Sequence, residues 1–219
     1  MMIKKVKATL SEKLILIFLL ILAIFVLSFT IIIKNKCLFV KDFNPQTINF
    51  DKPENIVVLN VECGNVIIEL YPKVSPKAVK RFKTLIKTNS YDNVAFHRVI
   101  KDKLVQAGDL EYGKKNKLDC EKIGTGKSGL GTINSEIDAE FDYRKGSVGL
   151  VRTLKYNSED SQFFIILDDE PLFEGEYTPI GKVIYGIKVL EKIKYSHRSE
   201  YVLRPDFINT IRMHQSEVN

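Results

Sequence analysis

The chain contains no tryptophan and only three cysteines and three histidines in 219 residues. Cys37, Cys63 and Cys120 are odd in number and unevenly spaced, so they form neither a disulfide framework nor a zinc pattern. A single Cys63–Cys120 bridge stays open, without support from the spacing. His97, His197 and His214 are scattered and show no metal-ligand spacing. No carboxylate pair and no His-centred triad stands out, which leaves a hydrolase reading with little support. Neither metal nor cofactor is expected. Charge of one sign is also scarce outside the N-terminus. Of 33 basic and 27 acidic residues, seven and two fall in residues 1–50, leaving 26 and 25 in the remainder. That near balance argues against nucleic acid as a partner. No internal repeat is present, and one apolar run is the only segment of biased composition.

That run is LILIFLLILAIFVLSFTIII, from Leu14 to Ile33, without a charge, proline or glycine. As a helix, 20 residues span roughly 30 Å, the thickness of a bilayer core. The run is longer than the apolar core of a usual signal peptide, and no A-x-A-like cleavage site follows. An uncleaved anchor is therefore favoured over a cleaved signal. Four lysines precede the span and three follow it closely, which biases the N-terminus to the inside. The bulk of the chain would then lie outside the cytoplasm. The expected organisation is a basic tail (1–13), a transmembrane anchor (14–33), a linker (34–54), one folded domain (55–213) and a short tail (214–219).

Within the domain, IVVLNVE and VIIEL flank Cys63-Gly64-Asn65 and predict a hairpin. Ser75 is a candidate N-cap, and Pro76 suits the first position of a helix. Val79, Phe82, Leu85 and Ile86 share one face of that helix. Residues 110–134 are glycine- and charge-rich and predict a long loop. Strands are expected at 146–151, 162–167, 180–184 and 206–213, with a short helix around 187–193. Seven or eight strands and two helices with short connections predict a mainly β fold. The expected form is a closed antiparallel barrel with a helix over each end.

Two short strands interrupted by Lys101-Asp102-Lys103 carry an oddity. Arg98 sits among Phe96, Val99 and Ile100, and Gln106 sits between Val105 and Ala107. Taken alone, both polar side chains would face water from a half-exposed sheet.

The wider pattern favours another reading. FHRVI (96–100), QAGD (106–109), AEF (139–141), SQFFI (161–165) and GKV (181–183), in that order, resemble the cyclophilins. These are peptidyl-prolyl cis-trans isomerases. The resemblance covers roughly residues 55–213 and implies an eight-stranded antiparallel β-barrel capped by two helices. It implies that Arg98 is the catalytic arginine and that Gln106 helps to hold it and the substrate backbone. It places Phe96, Leu104, Val151, Arg152, Gln162, Phe164, Phe173 and Tyr177 on the substrate side. Alternation along SQFFI puts Gln162 and Phe164 on one face and Phe163 on the other, so Phe164 would floor a proline pocket.

The chemistry explains the arginine. Rotation about X-Pro is slow because the C–N bond has partial double-bond character. In the twisted transition state the prolyl nitrogen becomes pyramidal and its lone pair can accept a hydrogen bond. A fixed donor aimed there stabilises the twisted form over both planar forms. Arginine supplies an always-charged, rigid fork. Raising ~0.01–0.1 per second to ~10–10³ per second needs about 3–7 kcal/mol.

The chain departs from the family pattern at several points. Lys103 stands where an aromatic pocket residue is usual; its alkyl stem is long enough to cover a proline while the ammonium reaches water, in a less apolar pocket. Leu172 replaces Trp or His, Val151 replaces a smaller residue, and the 110–133 loop is longer. Weak cyclosporin binding is expected. The partners implied are proline-containing polypeptides and, through the anchor, a membrane. The rival reading is a catalytically weak proline-binding chaperone or docking module on the same fold.

Overall fold

The computed structural model describes residues 9–215 except 35, 39 and 42, so Lys4, Lys5, Lys7 and the end of the C-terminal tail lie outside the described residues. The chain forms two units, residues 1–39 and 40–219. The first contains α1 (Leu10–Lys34), whose stretch Leu10–Ile32 has mean hydropathy 3.3 and buries none of its residues. By length and composition it can cross a membrane; the same features fit a signal sequence.

The second unit is built on one eight-stranded antiparallel sheet. Its strands are β1 (Ile56–Val61), β2 (Gly64–Leu70), β3 (Arg98–Ile100), β4 (Leu104–Ala107), β5 (Ser147–Leu150), β6 (Phe163–Ile166), β7 (Pro179–Tyr185) and β8 (Thr210–Met213). They lie in the order β3-β4-β6-β5-β7-β2-β1-β8. Two helices accompany them, α2 (Pro76–Lys87) and the single turn α3 (Ile187–Leu190).

The expected closed barrel is not formed. β3 and β8 are the two edges of a curled sheet and do not pair with each other among the described residues. The reason is local: another piece of chain occupies the β3 edge. Val99 N–H donates to Glu200 O (2.8 Å), Val202 N–H donates to His97 O (2.9 Å), and Phe96 N–H donates to Asp206 O (2.9 Å). That segment satisfies the edge groups that closure would have used.

The first hairpin is tighter than the sequence suggests. Val61 pairs with Gly64, so Glu62-Cys63 is the turn and Gly64-Asn65 already belong to β2. Cys120 is a free, exposed thiol, so the Cys63–Cys120 bridge is not formed. The second half of the expected linker lies against the domain: Phe43 packs near Tyr185, and Phe50 meets His214 edge-on.

α2 buries the face read from its spacing, with Ala78, Val79, Phe82, Leu85 and Ile86 inside. Phe82, Tyr91 and Phe163 meet with centroids 5.2–5.5 Å apart and form the aromatic centre of the core. Ser75 occupies the N-cap position, but its hydroxyl donates to Pro179 O instead of accepting from the helix. Glu136 does the capping. Its carboxylate accepts from Lys77 N (3.1 Å) and Ala78 N (2.9 Å) across 59 and 58 residues of chain. A carboxylate at a helix N-terminus also meets the positive end of the dipole. Glu136→Ala is therefore expected to lower stability by about 1 kcal/mol, read as a reduced urea midpoint with an unchanged slope.

Candidate active site

Strand register brings the polar residues together. Arg98 lies opposite Gln106 across β3/β4, and Gln106 lies opposite Phe164 across β4/β6. Directly opposed residues share a sheet face, so the oddity of the sequence becomes one polar row running into an aromatic side chain. The hydrogen bonds follow that row. Arg98 Nη1 donates to Gln106 Oε1 (3.2 Å), and Gln106 Nε2 donates to Gln162 Oε1 (3.0 Å). Gln162 Nε2 then donates to the carbonyls of Gly124 (2.9 Å) and Gly126 (3.0 Å).

The chain of bonds ends on a buried carboxylate. Asp109 Oδ2 accepts from Gly124 N (2.7 Å) and Gly126 N (2.9 Å), while Oδ1 accepts from Glu111 N (3.1 Å) and Tyr112 N (2.8 Å). Its side chain is fully enclosed. The long loop is thus pinned at its glycines. Gly126 has to be glycine, because a Cβ there would lie 2.0 Å from Asp109 Oδ1.

A groove of about 470 Å³ lies over this network. Arg98, Gln106, Val151, Arg152, Gln162 and Tyr177 line it, together with the glycine loop and Tyr201. An apolar cluster adjoins it, built on Leu104, Tyr143, Phe164 and Ile166 with Phe141, Val151, Phe173 and Tyr177 packed against them. Val151 and Tyr177 belong to both. Phe164 stands on Gly149, where a Cβ would come within 2.4 Å of the ring. Phe173 and Tyr177 meet that ring edge-on at 5.2 and 5.3 Å. Tyr143 donates to Tyr177 O (3.0 Å) and so holds the rim from below; burial pushes its phenol pKa well up. Arg152 is clamped over Tyr177 and Tyr156, with Nε on Glu176 O (2.8 Å) and Nη2 on Glu176 Oε2 (2.6 Å).

One expected substrate-side residue is corrected. Phe96 is fully buried and takes no part in the groove; it is a core side chain held where the His97–Arg98 segment begins. Lys103 is exposed, with its ammonium 3.5 Å from Asp168, and does not line the groove. An ammonium is strongly hydrated, and the carboxylate gives it a partner in water. Leu172 likewise points outward, 82% exposed.

His97, which carries no metal-ligand spacing in the sequence, sits in specific surroundings. It is fully buried, its Nε2 lies 3.3 Å from Gln106 Nε2, and its ring stacks near Tyr201. Burial lowers its pKa below the ordinary 6.5, only partly opposed by the Asp109 charge. The imidazole is then neutral near pH 7, and Nε2 can accept from the Gln106 amide. The unfolded chain binds this proton more readily than the folded one. Stability is therefore full above about pH 6.5 and falls as pH drops toward the depressed folded value. Asp92, whose pKa is lowered by its hydrogen bonds to Arg212, contributes stability lost only below its ordinary 3.8. Melting between pH 7 and 5 should show a decline that His97→Gln reduces, leaving the loss below pH 3.8 in place.

The comparisons with known proteins decide the family. The profile described as "Cyclophilin type peptidyl-prolyl cis-trans isomerase/CLD" matches residues 56–217. The chain belongs to the cyclophilin family. A probable peptidyl-prolyl cis-trans isomerase of Brucella suis is 40% identical over 166 residues, covering 74% of this cyclophilin and 84% of that protein. Another relative, isomerase cypE of Dictyostelium discoideum, is 33% identical over 64% of this chain and 85% of its own. A Cryptosporidium parvum cyclophilin, solved in the presence of the dipeptide Ala-Pro, superposes with a TM-score of 0.64 at 28% identity. The match covers 74% of this cyclophilin and 99% of that chain. The family activity is peptidyl-prolyl cis-trans isomerisation.

Proposed function

We propose that this cyclophilin is a membrane-tethered isomerase that accelerates X-Pro rotation in polypeptides outside the cytoplasm. The observation that carries the catalytic part is the held guanidinium of Arg98 beside an aromatic cluster. Gln106, fixed in turn by Gln162 and the pinned loop, holds the arginine. Leu104, Phe164, Phe173, Tyr177 and Val151 offer apolar surface for a proline ring. Arg152 and Val151 form the edge along which the substrate backbone runs. Free N–H groups of Arg98 would then donate to the prolyl nitrogen as the bond twists. Catalysis here needs positioning and one donor, with no covalent intermediate.

Exchange spectroscopy on a short X-Pro peptide, with the full chain in detergent micelles, tests this reading. Acceleration of about 10²- to 10⁵-fold over the free peptide is expected. Peptide binding without acceleration would move the assignment to the docking module. Lys103 and Leu172, exposed at positions where the family resemblance implies aromatic or imidazole rings, favour that second reading. The same loss of ring surface motivates the expectation of weak cyclosporin affinity, measurable by calorimetry.

The tether rests on the apolar stretch Leu10–Ile32 and on the lysine excess before it. Anchoring would keep the enzyme where translocated chains emerge and raise its effective concentration there. External protease added to intact cells should reach the domain; a shielded domain would remove the extracytoplasmic part of the proposal.

A further inference from the structure

Arg98 has a second anchor on the opposite side from Gln106. The segment that covers the β3 edge brings Tyr201 into antiparallel register with Arg98. Glu200, one residue earlier, is thereby placed beside the guanidinium. Arg98 Nε donates to Glu200 Oε2 at 2.7 Å, across 102 residues of sequence. Gln106 Oε1 accepts from Nη1 at 3.2 Å. One acceptor would leave the planar fork free to pivot about that bond. Two acceptors on different nitrogens fix its plane. Two of the five N–H donors are thus used; both N–H groups of Nη2, which has no hydrogen-bond partner among the described residues, and the second N–H of Nη1 are left for a ligand in the groove that Arg98 lines.

We infer that Glu200 is a positioning residue of the isomerase site: its carboxylate fixes Nε and thereby aims Nη2 at the prolyl nitrogen. This inference rests on the isomerase reading of the groove. The pair is partly open to water, with Arg98 28% and Glu200 53% exposed. A pair so placed contributes little to stability. Its consequence is geometric, and geometry acts on kcat more than on substrate binding. The carboxylate also draws charge toward Nε, so removing it could have strengthened the donor. The sign of the kcat change therefore separates positioning from charge.

The test compares full-length wild type, Glu200→Ala, Glu200→Gln and Arg98→Ala in micelles by X-Pro exchange spectroscopy. Glu200→Ala is expected to lower kcat about tenfold with KM changed less than about twofold. Glu200→Gln keeps an acceptor oxygen and should recover most of that loss. The Nε–H cross-peak of Arg98, assigned by its absence in Arg98→Ala, should move or broaden in Glu200→Ala and stay near its wild-type position in Glu200→Gln. Melting temperatures should match throughout. If Arg98→Ala abolishes acceleration while Glu200→Ala leaves kcat unchanged or raises it, the role of Glu200 is overturned and the isomerase reading stands. If Arg98→Ala keeps its acceleration, both fall together. A loss that glutamine does not recover, accompanied by lower melting in both Glu200 variants, also overturns the role of Glu200, because a loosened fold then accounts for it.

Discussion

Replacing Arg98 with alanine is expected to lower kcat/KM for X-Pro exchange by about 10²- to 10³-fold, as loss of one preorganised donor to developing transition-state charge does. The expectation follows from what the side chain does not do. It is only half-buried and sits in no part of the apolar core. Its bonds to Glu200 and Gln106 are at the groove surface, so losing them should cost about 0–1 kcal/mol of stability. Activity and melting temperature should therefore separate cleanly. Arg98→Lys sharpens the test. A lysine keeps the charge but is a compact point donor and cannot reach two anchors and the substrate at once. It should behave much more like alanine than like arginine. A lysine variant near wild-type activity would mean that bulk positive charge in the groove suffices. Line-shape analysis over a range of peptide concentrations gives kcat and KM separately, and the loss should appear in kcat.

The parts legible in the sequence are those fixed by short-range pattern. Alternation placed Phe163 and Phe164 on opposite faces, and they go to different clusters, Phe163 with Phe82 and Tyr91, Phe164 with Tyr143 and Phe173. Helical spacing identified the buried face of α2. The parts that were not legible depend on contacts made far along the chain. Ser75 had the right chemistry for a cap, yet Glu136, from a segment with no pattern of its own, takes the helix N-terminus. Barrel closure follows from strand count only if both edges stay free, and the Glu200–Val202 stretch takes one of them. Phe96 shows the limit of carrying a motif over whole: it lies two residues before Arg98 and outside β3, where strand alternation no longer sets its direction, and it is buried in the core while Arg98 lines the groove. Asp109 stands between these cases. It lies in the QAGD motif, and Gly124 and Gly126 were visible as loop glycines, but nothing local says that the carboxylate reaches across 15 and 17 residues to hold them.

That reach makes Asp109 the position where stability and activity should fall together. Alanine there leaves four backbone N–H groups without their acceptor. Each unpaired buried donor costs about 1–3 kcal/mol, and those nearer the surface recover water, so a net loss of about 3–5 kcal/mol is expected. Against a typical domain stability of about 5–15 kcal/mol, the variant should still fold at low temperature. Its groove should nevertheless be altered. Gly124 and Gly126 lose their fixed position, Gln162 loses two placed acceptors, and the row through Gln106 to Arg98 loses its far support. Activity well below the melting point should drop by at least about tenfold. Asparagine discriminates this account from simple volume loss. It fills the same space, but its amide presents N–H groups to two of the four N–H donors, whichever way it is turned. If four-fold acceptance by a carboxylate is what holds the loop, Asp109→Asn should be destabilised nearly as much as alanine. An asparagine variant with a wild-type urea midpoint and wild-type kcat would show that the loop is held by its packing, and that the row from Asp109 to Arg98 is not mechanically connected.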